Sequence, residues 1–189
     1  MSPDGRRRVL RMLAAAGATL AAASRPGKPL RAAPALLDAR ALVETSPARA
    51  VPAVSLFDAD GAGHPLTEFA GQGLVVNLWA TWCPPCVREL PALAALARRL
   101  RPEGVRVLAA ASDRGGAAAV AMFFARHHIE GLEIWLDPNG AAERAWGVRG
   151  IPTTLVLDRA GRERARAAGP VNWAAEGVVA EVRRLVGRG

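Results

Sequence analysis

The chain has 189 residues, 51% of them hydrophobic and 22% charged, with 14 Pro and 19 Gly. That suffices for one domain with a real core, leaves too little for two, and excludes global disorder; the absence of a glycine period, a sustained heptad or an internal repeat excludes collagen, coiled coil and repeat architectures. The net charge of +8 comes from 24 Arg and a single Lys against 17 acids, beside 41 Ala, and this bias runs along the whole chain, so no nucleic-acid binding is read from it.

Residues 1–23 read as an address rather than as fold. Arg6, Arg7, Arg8 and Arg11 precede an uncharged stretch from Met12 to Ala23 that ends in Ala21-Ala22-Ala23. A basic segment, a short apolar segment and small residues form the pattern of an export signal, and twelve residues fall short of the roughly 20 that a membrane-spanning helix needs. The run Arg6-Arg7-Arg8-Val9-Leu10-Arg11 resembles the twin-arginine export motif; an ordinary secretory signal and an uncleaved anchor remain open alternatives. No Cys lies near residue 24, so no lipoprotein anchor is expected, and without residues 1–23 the net charge is +5. Residues 24–52 carry five prolines and no sustained strand pattern, and read as a flexible tether with a short helical piece around Ala35–Val43. The globular domain is expected over 53–189.

Val54–Phe57 followed by Asp58-Ala59-Asp60-Gly61 predicts a strand running into a turn. Leu74–Trp79 is nearly continuous and apolar, as a central parallel strand should be. A helix follows from Pro84 to Leu100, with Leu90, Leu93, Leu96, Ala97 and Leu100 on one face and Pro84 at a first-turn position. Strands are expected at Val105–Ala110 and Leu132–Leu136, and helices at Ala117–His128 and around Ala141–Trp146. Thr153–Leu157 and Glu163–Ala167 straddle the turn signal Asp158-Arg159-Ala160-Gly161 and predict a hairpin. Ala174–Val186 closes the chain as an amphipathic helix with Val178, Val179, Val182, Leu185 and Val186 inward. Strands alternating with helices and ending in a hairpin predict an α/β sandwich around a mixed sheet.

The only two cysteines, Cys83 and Cys86, sit together in Trp82-Cys83-Pro84-Pro85-Cys86, after a strand and at a helix start. The partial positive charge of a helix N-terminus favours the thiolate, the nucleophile of disulfide exchange, and the second thiol can resolve a mixed disulfide. The outer sulfur is expected to face solvent. A disulfide closing so small a loop stabilises little, so redox chemistry explains the pair better than a structural bridge. Zinc would need four ligands, and only His64, His127 and His128 could complete a site. Covalent haem attachment is not supported, because Val87 follows Cys86 where a His is needed. A peroxidatic cysteine would want Pro at position 79, which is Trp. No metal and no cofactor is expected.

From Val75 to Pro91 the chain resembles the active-site signature of the thioredoxin superfamily, specifically its exported TlpA/ResA-like thiol–disulfide oxidoreductases. A second match, Gly147-Val148-Arg149-Gly150-Ile151-Pro152-Thr153-Thr154, follows in the right order, and a weaker third is Gly169-Pro170-Val171-Asn172-Trp173. The resemblance covers about residues 50–187. It implies a thioredoxin-like three-layer sandwich with a central mixed β-sheet and an N-terminal β extension. It implies Cys83 as the attacking thiol, Cys86 as the resolving one, and a redox-active disulfide between them. Pro152 would be a cis-proline facing the dithiol; Ile151 would belong to the edge on which an extended substrate docks, and Trp82 would form an apolar lip. Thioredoxin proper has a buried Asp where this chain has Asn77, which cannot titrate. Glu89 matches the acid of ResA-like proteins and would exchange protons with Cys86, the simpler reading being an exposed first-turn Glu that complements the helix dipole. Pro91 would kink the helix. The haem-maturation group related to CcmG usually carries Glu after the cis-proline, where this chain has Thr153.

The resemblance thus implies an exported dithiol reductase, monomeric and independent of nucleic acid, acting in the periplasm or on the extracytoplasmic face of the membrane. It would reduce disulfide-bearing envelope proteins, in cytochrome c maturation or copper-site assembly, and be re-reduced by a membrane thiol electron donor. A non-catalytic client-binding or chaperone module is the alternative, against which the intact Cys-Pro-Pro-Cys argues. An oxidase of the DsbA kind shares the fold but carries a large helical insertion, for which there is no room between Ala110 and Leu132. Pro84 and Pro85 both lack the N–H that would stabilise a Cys83 thiolate, which predicts a reductant.

Overall fold

The computed structural model describes residues 36–187, so the expected export signal and the first part of the expected tether lie outside the described residues. Twelve regular elements follow in chain order: β1 (Val43–Ala50), β2 (Ser55–Phe57), β3 (Gly63–Pro65), β4 (Gly73–Trp79), α1 (Pro84–Leu100), β5 (Val105–Ala111), α2 (Gly116–Arg126), β6 (Trp135–Leu136), α3 (Ala141–Ala145), β7 (Thr153–Leu157), β8 (Arg162–Ala168) and α4 (Glu176–Val186). The strands form one sheet in the order β1-β8-β7-β4-β5-β6-β2-β3. β4, β5 and β6 run parallel, while β7, β8 and β1 add antiparallel on one side and β2 and β3 on the other.

β4 lies at the centre and every one of its residues is buried. Alternation sends Val75 and Trp79 to one face, against Leu90, Leu93 and Leu96 of α1, Val120 and Phe124 of α2 and Val178, Val179 and Val182 of α4. Leu74, Val76 and Leu78 point the other way, onto Leu56, Phe69, Trp135, Trp146 and Ala142 of α3. Helices on both faces of a mixed sheet make the three-layer α/β sandwich. Gly73 allows α4 to close on the sheet: a Cβ at that position would lie 2.6 Å from the Val186 Cβ.

Part of the expected tether is ordered. Residues 39–41 form a short 3-10 turn, and β1 pairs antiparallel with β8 as an edge strand. Sequence reading misses β1 because its side chains are mostly exposed and Pro47 interrupts it. An edge strand tolerates both, and the register shifts between Glu44 and Arg49, where Pro47 sits. The anchor is chemical: the buried Glu163 accepts hydrogen bonds from Thr45, Arg49 and Arg166, and Arg166 also donates to the Trp146 carbonyl at 2.8 Å. Smaller departures remain: β6 keeps only Trp135–Leu136 of the expected Leu132–Leu136, α2 ends at Arg126 rather than His128, α4 begins at Glu176 rather than Ala174, and Gly63–Pro65 forms β3 where no strand is expected.

Candidate active site

The buried strand β4 ends at Trp79, and the turn that follows delivers Cys83 as the N-cap of α1, with Pro84 and Pro85 as its first two helical residues. Asp113, from the loop after β5, holds this turn by accepting from the Thr81 N–H at 2.9 Å and from the Thr81 hydroxyl. Cys83 and Cys86 are joined as a disulfide with Cα atoms 5.3 Å apart. The Cys86 N–H donates to the Cys83 sulfur at 3.4 Å, the first helical N–H able to do so after two prolines.

The outer sulfur is less open than expected. Cys83 is only 4% exposed, with the Ile151 carbonyl oxygen 3.7 Å from its sulfur, and Cys86 is fully buried in the core. The open surface beside them is the indole of Trp82, 69% exposed. The Ile151–Pro152 peptide is cis, Ile151 is half-buried, and the Pro152 carbonyl accepts from Gly169 N–H at 2.9 Å. The two separate stretches of sequence singled out above, around Cys83 and around Pro152, therefore meet in space.

Glu89 is not an exposed helix-dipole residue. One turn beyond Cys86 on α1, it is fully buried. Asn77 Nδ2 donates to its Oε1 at 2.8 Å, while Val171 N–H and Trp173 Nε1 donate to its Oε2 at 2.8 and 3.0 Å. Burial pushes its pKa up to about 7 despite these three donors. Neither carboxyl oxygen bonds either sulfur of the oxidised pair among the described residues. Asn77 Nδ2 also donates to Thr154 Oγ1 at 2.9 Å, and Asn77 Oδ1 has no partner among the described residues. The carboxyl is thus a buried titratable group near neutrality, one turn along α1 from Cys86.

Three contributors escaped sequence reading. The Gly169–Trp173 segment stands out as a motif, but nothing in its spacing announces that Val171 and Trp173 bind a helix carboxylate. Leu37 pins that segment from outside by donating to the Pro170 carbonyl and accepting from Asn172 N–H, both at 2.8 Å. Asp113 carries no motif at all. Of the residues weighed for zinc, His64 is engaged by Asp58 and Glu68 at 2.9 and 2.8 Å, far along the chain from His127 and His128, and it lies at no cysteine.

The sequence profile of the family described as Redoxin matches residues 46–182. The chain belongs to the Redoxin family. Among the chain's relatives are ResA and DsbE-type proteins, and its fold is shared with thioredoxin-like proteins. It is similar to the thiol-disulfide oxidoreductase ResA of Geobacillus thermodenitrificans, 34% identical over 107 residues that cover 57% of this chain and 60% of that one. It is also similar to the thiol:disulfide interchange protein DsbE homolog of Paracoccus denitrificans, 39% identical over 97 residues and 51% of each chain. The match spans only 60% or less of the length of these relatives. In fold, this Redoxin-family chain matches a thiol:disulfide interchange protein of Chlorobium tepidum with a TM-score of 0.62 and 23% identity, over 76% of this chain and 99% of that one. The exposed lipoprotein thioredoxin of Streptococcus pneumoniae gives a TM-score of 0.60 and 22% identity, over 71% of this chain and all of that one.

Proposed function

We propose that this chain is a thiol–disulfide oxidoreductase of the cell envelope that reduces disulfides in client proteins. The observation that carries the reading is the Cys83–Cys86 pair at the mouth of α1, with its outer sulfur against the backbone at Ile151 and the buried Glu89 carboxyl one turn along the same helix. In the reduced protein the Cys83 thiolate attacks a client sulfur. A Cys83–client S–S bond forms, the client disulfide breaks, and the departing client thiolate takes up a proton. Cys86 then loses its thiol proton to ionised Glu89 and attacks the Cys83 sulfur. The second client thiolate leaves, the Cys83–Cys86 disulfide forms, and two electrons have passed to the client. Trp82 and the Ile151–Pro152 edge receive the client's extended segment. A membrane thiol donor would return the dithiol to its reduced form.

The Arg6–Ala23 pattern and the confinement of both cysteines to the motif support work outside the cytoplasm, in the periplasm or on the outer face of the membrane. The names of the ResA and DsbE-type relatives support thiol–disulfide exchange as the chemistry. Cytochrome c maturation and copper-site assembly supply candidate clients, and Thr153 at the position after Pro152 departs from the haem-maturation pattern. Insulin reduction with a chemical donor tests the reaction: turnover by the wild type and none by Cys83→Ser is expected, and a wild type without turnover leaves a client-binding module. Cys86→Ser in the native host should trap mixed disulfides with exported proteins, and fractionation should find the protein outside the cytoplasm.

A further inference from the structure

We propose that the groove beside Trp82 seats an acidic stretch of the client polypeptide, with Arg114 and Arg144 as the residues that recognise its charge. The proposal rests on the reading of the chain as a protein-disulfide reductase and names the chemical class of client which that site selects.

The groove, of about 530 Å³, opens against the exposed Trp82 indole next to Cys83. Leu136 and Pro138 give it an apolar wall, and four charged residues line it: Asp113, Arg114, Glu143 and Arg144. The two signs are not equally available. Asp113 and Glu143 keep their charge but are half-buried and hydrogen-bonded within the chain, Asp113 by the Thr81 N–H and hydroxyl and Glu143 by the Ser112 hydroxyl at 2.8 Å. Arg114 and Arg144 are both exposed, and among the described residues neither lies within ion-pair distance of a carboxylate; Arg144 donates only to the Asn139 carbonyl. Arg149, exposed two residues before Ile151, likewise has no acidic partner among them.

Elsewhere the arginines are largely paired, Arg99 with Glu176, Arg183 with Glu103 and Arg106 with Glu133. Arg40, Arg98 and Arg126 are also without an acidic partner among the described residues, but Arg114 and Arg144 are the two that share a groove with Trp82. A guanidinium fork matches a carboxylate bidentately, and an apolar wall beside two such forks suits an extended segment with Asp or Glu near its cysteine. Exposed pairs are individually weak and screened by salt, so two of them should favour acidic over neutral segments by about threefold to tenfold at low ionic strength.

The test uses the full chain and fluorescein-labelled cysteine-free peptides of one length in which Asp, Ser or Lys alternates with Gly, read by anisotropy. The Asp peptide should bind at least about threefold more tightly than the Ser peptide and lose that advantage in high salt. Arg114→Glu/Arg144→Glu should reverse the order so that the Lys peptide binds best, whereas Arg40→Glu/Arg126→Glu changes net charge equally at exposed positions outside the groove and should keep it. Equal binding of Asp and Ser peptides overturns the proposal. So does equal loss in both double variants, which would make net charge the cause. Because these peptides carry no cysteine, the result is independent of insulin reduction, which alone decides whether the chain is a reductase.

Discussion

The side-chain amide of Asn77, on the central strand, donates to the buried carboxyl of Glu89 on α1 at 2.8 Å, while its own oxygen has no partner among the described residues. That arrangement suits a carboxyl that changes charge. With Glu89 ionised, Nδ2 donates to it; with Glu89 protonated, the amide can turn over so that Oδ1 accepts the carboxyl O–H and the Thr154 hydroxyl donates in place of accepting. A titrating Asp at position 77 would compete for the same proton. Asn leaves Glu89 as the titratable side chain of this buried cluster.

Glu89→Gln should therefore slow release of the mixed disulfide by about a hundredfold while affecting the attack of Cys83 much less. Stopped-flow measurement of the two steps checks this. The wild-type resolution rate should break near pH 7 and the variant's should not; superimposable pH–rate profiles would reduce Glu89 to a structural residue.

The same carboxyl makes stability depend on pH. Its pKa rises from 4.5 to about 7 on folding, chiefly through burial, so between those values the folded protein holds a proton that the unfolded chain has lost. Stability on this account is full below about pH 4.5 and falls as pH rises through about 7, by about 3 kcal/mol. In urea titrations of the oxidised proteins, Glu89→Gln should match the wild type at low pH and exceed it by about 2–3 kcal/mol at about pH 8. A variant less stable than the wild type at about pH 8 would contradict the desolvation argument.

Asn77→Asp places a second carboxyl against Glu89. Like charges at hydrogen-bond distance cannot both ionise readily, so the pair should titrate in two steps, the upper one raised by about one pH unit or more above the wild-type break. The pH profile of the resolution step reads this directly, and Asn77→Ala, which adds no charge, should leave no such upper step.

Much of this was legible in the sequence, for physical reasons that also mark where reading stopped. The apolar run of β4 and the leucine spacing of α1 leave those elements no other place than the core, and Cys83–Cys86 and Ile151–Pro152 carry chemistry in their identities. Glu89 is different: its position on the helix is plain from spacing, but its burial depends on Val171 and Trp173, which arrive from more than eighty residues away. β1 has no inward hydrophobic stripe, so periodicity cannot reveal it. Its contacts are polar, and the acid that anchors it belongs to β8.

That anchor yields a stability prediction. Burial pushes the Glu163 pKa up, but Arg166 and Arg49 outweigh it and hold the carboxyl below its ordinary value. Glu163→Gln would leave the mostly buried Arg166 without its counter-charge and release Arg49, at a cost of about 3 kcal/mol. Arg49→Ala, which removes only the exposed partner, should cost about 1 kcal/mol or less. Denaturation midpoints distinguish the two, and equal losses would show that the anchoring charge is Arg49 rather than Arg166.

The last prediction concerns which proline sets the redox poise. With Cys83 as N-cap, its sulfur can accept from the second and third helical N–H groups but not readily from the first. Pro84 occupies the first position and Pro85 the second, and the third, Cys86 N–H, makes the one bond observed, at 3.4 Å. The donor denied to a Cys83 thiolate is therefore that of Pro85, and Pro84 removes one that would not have reached the sulfur. Fewer donors raise the thiol pKa, disfavour the reduced form and make the couple a better reductant. Equilibration with glutathione should place the wild type well below the roughly −180 mV of an isomerase. Pro85→Ala should lower the Cys83 pKa and shift the potential upward, while Pro84→Ala should do much less. A larger shift from Pro84→Ala would show that the first-position N–H does reach the sulfur, and a wild-type potential near the roughly −120 mV of a strong oxidant would overturn the assignment as a reductant.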